Sequence, residues 1–256
     1  MIARLRRFAA PGLLALGLLA ACAGPDPELC GPTADAVDGG TVTRTSAGMV
    51  PGVPDLKVLP DGVEVAARVS TARFERELLG VGMPGYHFLV YSGGASAGAS
   101  LFLTPVTDVQ VLDTLETLGA KPGDALDLDT WEDRKNPRSP APDKVIEGPE
   151  IEISVLVPGR AEPLALSDIL DDPGAKGFLM RFGGHRKNIP SWRSGCVVCL
   201  YSCPGSKVGN AAYTLRDWTR ETTKFRVKKG ALPADGTPVR IQLRWKRPAP
   251  SAVARR

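Results

Sequence analysis

Val63-Glu64-Val65-Ala66-Ala67-Arg68-Val69 sets an apolar side chain at every second position. That period of two is the signature of a strand with one face buried and one face wet. The same alternation returns at Ile151, Ile153, Val155 and Val157, and again at Val239, Ile241, Leu243 and Trp245. Residues 87–91 and 100–103 read as two further strands, joined by the Gly- and Ser-rich turn 92–98. Residues 108–118 read as a helix: Leu112, Leu115 and Leu118 recur at helical spacing, Asp108 stands where a cap belongs, and Gly119 stands at the stop. Ser167-Asp168-Ile169-Leu170 predicts one capped helical turn, and the charged, Pro-rich stretch 132–143 a long surface loop. Strands outnumber helices and no internal repeat occurs, so the expected fold is α+β, a single domain of mostly antiparallel strands with one or two short helices.

Working outward, the domain is expected over residues 53–247. Before it, residues 22–52 are rich in Pro, Gly, Ala, Thr and Asp and nearly free of large apolar residues, which predicts a disordered tether. After it, residues 248–256 predict a disordered tail. The first 21 residues carry Arg4, Arg6 and Arg7 and then an apolar stretch too short to span a bilayer comfortably. Leu19-Ala20-Ala21-Cys22 ends that stretch and resembles the lipobox of bacterial lipoproteins. The resemblance implies cleavage before Cys22, lipidation of Cys22, and a membrane partner held through several acyl chains. Ala23, in place of an aspartate that would favour inner-membrane retention, points to the outer membrane. The localisation expected is the cell envelope.

The formal charge of the whole chain is +4. Three of those charges, Arg4, Arg6 and Arg7, belong to the leader, so the remainder is near +1. The basic character therefore reflects targeting and does not indicate a nucleic-acid partner. Residues 108–172 are acidic and 216–256 basic, a pattern read as complementary regions of one surface.

Five cysteines are present, and with Cys22 lipidated four thiols remain: Cys30, Cys196, Cys199 and Cys203. Three fall in Gly195-Cys196-Val197-Val198-Cys199-Leu200-Tyr201-Ser202-Cys203-Pro204. The spacing C-x2-C-x3-C-P matches the tail of the bacterial ferredoxin run, with Arg193 where its first cysteine belongs. An iron–sulfur cluster such as [4Fe–4S], or another soft metal, would use these thiolates because soft donors suit iron, Cu(I) and zinc. It needs a donor from elsewhere, for which Cys30 and His185 are the candidates. Three other readings stay open: disulfides in an oxidising compartment, thiol–disulfide exchange at Cys196 and Cys199, and simple core packing. A c-type haem is excluded, because Leu200 stands where histidine is required. Arg6-Arg7 resembles a twin-arginine export signal only in the arginine pair, which weighs against export of a preformed cluster.

The stretch from Leu56 to Leu243 resembles the YdjY-type family of bacterial proteins. The resemblance rests on the strands near 57–69, on His87-Phe88-Leu89-Val90 and on Leu112-Asp113-Thr114-Leu115-Glu116-Thr117-Leu118-Gly119-Ala120-Lys121-Pro122-Gly123. It continues in residues 151–157, Ser194-Gly195 before the cysteines, Asn210-Ala211-Ala212-Tyr213-Thr214 and the strand 237–243. Some members are labelled ferredoxin-like, which implies electron transfer and marks Cys196, Cys199 and Cys203 as ligands. The family implies no agreed substrate or reaction.

Little else carries chemistry. His87 lies in an apolar strand pattern and reads as a half-buried strand residue, not a ligand. No Ser, His and acid set stands out. Asp127-Leu128-Asp129 and Asp171-Asp172 read as solvated loop charges, and Gly205-Ser206-Lys207-Val208-Gly209-Asn210 lacks the spacing of a phosphate loop. A catalytic enzyme is not supported. The expected function is a lipid-anchored envelope protein with an iron–sulfur or other metal-binding cysteine cluster, serving electron transfer with a redox or envelope protein partner. The alternative is a non-enzymatic, disulfide-stapled envelope domain that binds another envelope component.

Overall fold

The computed structural model describes residues 49–50, 53–76, 85–134, 136, 138–219 and 223–246. The segments expected to be a leader (1–21), a tether (22–52, apart from 49–50) and a tail (248–256), with Cys22 and Cys30, lie outside the described residues. Among these residues eleven strands form one mixed sheet: β1 Met49–Val50, β2 Val53–Leu59, β3 Gly62–Val69, β4 His87–Tyr91, β5 Ser100–Thr104, β6 Ile151–Leu156, β7 Leu164–Ala165, β8 Met180–Phe182, β9 Cys196–Cys199, β10 Val208–Asn210 and β11 Pro238–Trp245. Their order is β7-β6-β11-β3-β5-β4-β9-β10-β8, with β2 on β3 and β1 on β2.

The alternating segments occupy the middle of this order. In register, Ile241 of β11 stands opposite Val65 of β3 on one side and Val155 of β6 on the other. Val63, Val65, Ile153, Val155, Ile241 and Leu243 are all buried, so the apolar faces of three strands meet in one layer. Burying each such side chain contributes roughly 1.5–3 kcal/mol, and a one-residue slip would turn the whole set outward. The far ends of the sheet then approach each other: an isolated bridge joins Glu150 to Arg181, and the Phe182 N–H donates to the Pro149 carbonyl at 2.9 Å.

Most pairings are antiparallel, but β4 runs parallel to β5 and β9 parallel to β10. The β4–β5 return takes only residues 92–99, shorter than the usual crossover. It is held down by Ala95 N–H to Arg193 O and Ser96 N–H to Ser194 O, both 3.1 Å. Two glycines permit this approach. A side chain on Gly94 would begin 2.4 Å from the Ser194 carbonyl oxygen, and Gly195 has φ +66° and would place its Cβ 2.7 Å from the Gly94 Cα.

Among the described residues six short α-helices pack with the sheet: α1 Thr71–Phe74, α2 Asp108–Thr117, α3 Leu128–Arg134, α4 Leu166–Ile169, α5 Ile189–Trp192 and α6 Leu215–Thr219. Helix α2 buries Val111, Leu112 and Leu115. Its cap is Thr107, not Asp108: the Thr107 hydroxyl accepts from Gln110 N–H at 3.1 Å while Gln110 accepts from Thr107 N–H at 2.8 Å. This reciprocal box frees the Asp108 carboxylate for another partner. The stretch expected to be a loop from residue 132 begins inside α3, because Asp127 caps that helix through Thr130 N–H at 2.8 Å. Asp127 is thereby held below the usual carboxylate range by its bonds from Thr130. Asp172 also has a structural task, accepting from the Tyr213 hydroxyl and from Gly177 N–H at 2.6 Å.

Two glycines of positive φ give a clean test. Gly159 has φ +81° with open space around it, so Gly159→Ala is expected to cost about 1 kcal/mol. Gly195→Ala adds a backbone collision and is expected to cost at least about twice that, read as the shift in urea midpoint.

Candidate metal centre

Cys196 and Cys199 are three residues apart on β9, a spacing that sends side chains to opposite faces of a regular strand. The pairing with β4 is not regular. His87 stands opposite Cys199, Leu89 opposite Val198, and Val90 opposite Cys196. Phe88 is thus an extra residue on β4 and Val197 an extra residue on β9. Such bulges re-aim the side chains beside them. Here they bring His87, Cys196 and Cys199 to one point: His87 Nδ1 lies 3.4 Å from Cys196 Sγ and 3.5 Å from Cys199 Sγ, and the two sulfurs are 2.7 Å apart. All three ligand atoms lie within 4.8 Å of one another.

The group is enclosed. Both cysteines are fully buried and His87 is 5 % exposed. Burial lowers the His87 pKa to about 4, so its imidazole is neutral and has a lone pair to give. Burial raises the Cys196 thiol, and raises Cys199 further with help from the neighbouring sulfurs. A cation is what would reverse that cost, since a coordinated thiol gives up its proton. The spacing suits one ion. Donors bound at about 2.0–2.3 Å in a tetrahedron stand about 3.5–3.8 Å apart, as both nitrogen–sulfur distances nearly do. The sulfur pair would open by about 1 Å.

Cys203 stands beside this group without joining its tight set. Burial alone would raise its thiol. The neighbouring Cys199 and Tyr86 groups, the Gly205 N–H at 3.4 Å and the Lys207 charge outweigh burial and bring it to about 7. The Tyr86 hydroxyl is buried without an ordinary hydrogen-bond partner and faces Cys203. Lys207, within the glycine-containing stretch 205–210, is buried at 1 % exposure. Its Nζ meets Asp108 Oδ2 at 3.2 Å and the Gly205 carbonyl at 3.1 Å. A buried ion pair is therefore built into the surroundings of the thiols, and its lysine favours the Cys203 thiolate.

The expected donors thus divide. Cys196 and Cys199 converge, Cys203 flanks them, and Cys30 lies outside the described residues. His185 is corrected: it is fully buried but both ring nitrogens are occupied. Nδ1–H donates to the Ser206 carbonyl at 3.0 Å, and Nε2 accepts from Leu126 N–H at 3.4 Å. His87 is the residue that strand reasoning passed over. Its signal was available: a histidine flanked by Tyr86 and Phe88-Leu89-Val90, with apolar neighbours on both sides, must find a partner for its ring.

A curled, mostly antiparallel α+β sheet with a buried histidine–dithiol group defines a small domain with a candidate soft-metal site. The model of the YdjY domain family matches residues 61–244, and the chain belongs to that family. It is 31 % identical over 152 residues, 59 % of its length, to a protein of Escherichia coli (strain K12) described as uncharacterized protein YdjY. The matched part spans 63 % of that relative. No solved structure matches the chain.

The buried His185 sets a pH dependence. Its pKa is lowered from the ordinary 6.5 to about 4 by burial, so the unfolded chain binds the proton first and stability is lost as pH falls below 6.5. From pH 6.5 to 5 the expected loss is about 2 kcal/mol for this residue, with His87 acting in the same direction. In urea unfolding of the metal-free protein, His185→Asn is expected to remove its own share, about half of the loss that the two histidines cause together. An unchanged slope would exclude His185 as its source.

Proposed function

We propose that this protein is a lipid-anchored domain of the cell envelope that binds one soft transition-metal ion through His87, Cys196 and Cys199. The observation that carries the metal reading is the convergence of an imidazole nitrogen and two sulfurs within 4.8 Å inside the core. Neutral imidazole and thiolate are the donors that suit zinc, Cu(I) and iron. The bulged β4–β9 pairing orients the donors before an ion arrives, and the surrounding core excludes water. Cys203 is the neighbouring thiol and the nearest source of a fourth donor. Lys207 and Asp108 set the charge around them. When bound, iron or copper would supply one-electron chemistry and zinc a fixed cross-link.

An iron–sulfur cluster is the other occupant suggested by the spacing of Cys196, Cys199 and Cys203. A cluster spreads its thiolates over several iron atoms, whereas His87, Cys196 and Cys199 point at one place, which favours a single ion. The anchor rests on Leu19-Ala20-Ala21-Cys22. Ala23 after that cysteine supports outer-membrane attachment, and the electron-transfer reading of Cys196, Cys199 and Cys203 supports an envelope redox partner. The disulfide-stapled alternative draws on the 2.7 Å sulfur pair. A bridge there closes so short a loop that it constrains the unfolded chain little.

Cobalt(II) added to the reduced, anaerobically purified protein is expected to give thiolate-to-cobalt charge-transfer absorption at one ion per chain. His87→Ala and Cys196→Ser are each expected to weaken binding about 100-fold or more, beyond the 10–100-fold typical of losing an outer partner. Unchanged affinity in both folded variants would overturn the assignment. Iron and acid-labile sulfide after reconstitution, at several irons per chain, would favour the cluster instead. Separately, Cys22→Ala is expected to move the protein from the membrane fraction to the soluble envelope fraction.

A further inference from the structure

The thiols of Cys196 and Cys199 are fully buried, so no partner thiolate reaches them along the line that disulfide exchange requires. They are not isolated from the surface in another sense. Trp192 of α5 and Trp131 of α3 are both only partly buried, and their rings meet edge to face at 4.9 Å between centroids. Trp131 meets Tyr86 at 6.3 Å, and Tyr86 meets His87 at 4.9 Å, again edge to face. His87 Nδ1 then touches both sulfurs. A side approach exists as well: a Cβ on Gly205 would lie 3.4 Å from the Trp192 ring and 3.6 Å from Cys203 Sγ, so only a glycine separates them.

Aromatic rings cluster in many cores because they bury large areas. Two features here exceed packing. The rings form an unbroken line from the surface through His87 to the Cys196 and Cys199 sulfurs, and the innermost hydroxyl, on Tyr86, is buried without an ordinary partner beside the third cysteine, Cys203. We infer that Trp192, Trp131 and Tyr86 form a one-electron conduit through which an outer-sphere oxidant at the surface oxidises the buried Cys196–Cys199 dithiol in the metal-free protein.

The step balances. Each oxidant of the one-electron, outer-sphere class takes one electron from Trp192, and the vacancy passes through Trp131 and Tyr86 to a thiol. Two such events remove two electrons. Two S–H bonds break, two protons go to solvent, and one S–S bond forms between sulfurs already 2.7 Å apart. The inference uses the site of the proposed function without its ion, and oxidation would withdraw two of the ion's three donors.

Photogenerated ruthenium(III) tris-bipyridine serves as the oxidant for reduced, metal-free protein, and disulfide is followed by mass spectrometry with transient absorption of tryptophan and tyrosine radicals. Two oxidising equivalents per bridge are expected. Trp192→Phe and Trp131→Phe keep a ring for packing but resist oxidation, and each is expected to slow bridge formation about tenfold, a change equivalent to about 1.4 kcal/mol of barrier. Trp245→Phe, outside this ring cluster, is expected to leave the rate unchanged. Equal rates in wild type, Trp192→Phe and Trp131→Phe, with folding verified by circular dichroism, would overturn the conduit, as would no bridge in wild type. Cobalt titration of the same preparations reads the metal assignment independently: intact binding with no conduit sinks only the conduit, and the reverse result sinks only the ion.

Discussion

The pairing of β4 with β9 is the constraint on which the site depends. A regular antiparallel register would leave Cys196 and Cys199 on opposite faces of their strand. One extra residue on each strand, Phe88 and Val197, breaks that register and turns His87 and both cysteines toward one point. The bulges cost ladder hydrogen bonds in the middle of the sheet. They are held by what surrounds them: the 92–99 return pinned to residues 193–195, and the fully buried apolar side chains Phe88, Leu89, Val197 and Val198. A chelating arrangement is therefore a property of the sheet and not of the C-x2-C spacing alone.

The electrostatics of the interior follow from the same geometry. Three thiols and two imidazoles in a core are costly if charged, and burial keeps both histidines neutral. The two imidazoles then diverge in use. His185 spends both nitrogens on backbone groups of Ser206 and Leu126 and ties two loops together. His87 has its Nδ1 against two sulfurs. The buried Lys207–Asp108 pair lies close to the cysteines, and its lysine biases Cys203 toward the thiolate. The rings of Tyr86 and Trp131 close the other side.

Much of the fold was legible. The alternation at 63–69, 151–157 and 239–245 gave three strands whose inward residues do meet, because a period of two admits one buried face and tertiary context agreed with it. Helix α2 was legible from its leucines, though its cap was read one residue late, since Thr107 and Gln110 cap each other and Asp108 is drawn to Lys207. Helix α3 was missed because its sequence is short and charged, and a single cap at Asp127 decides it.

The sequence by itself determined the mostly antiparallel α+β class and that three thiols lie close along the chain, because apolar periodicity and residue spacing are local properties; its likeness to other YdjY domains marked the family. Only the tertiary structure decided which donors meet. His87 is 109 residues from Cys196, and the bulges that join them arise from the pairing of two distant strands. Spacing along a chain fixes no direction for a side chain until a neighbouring strand sets its register.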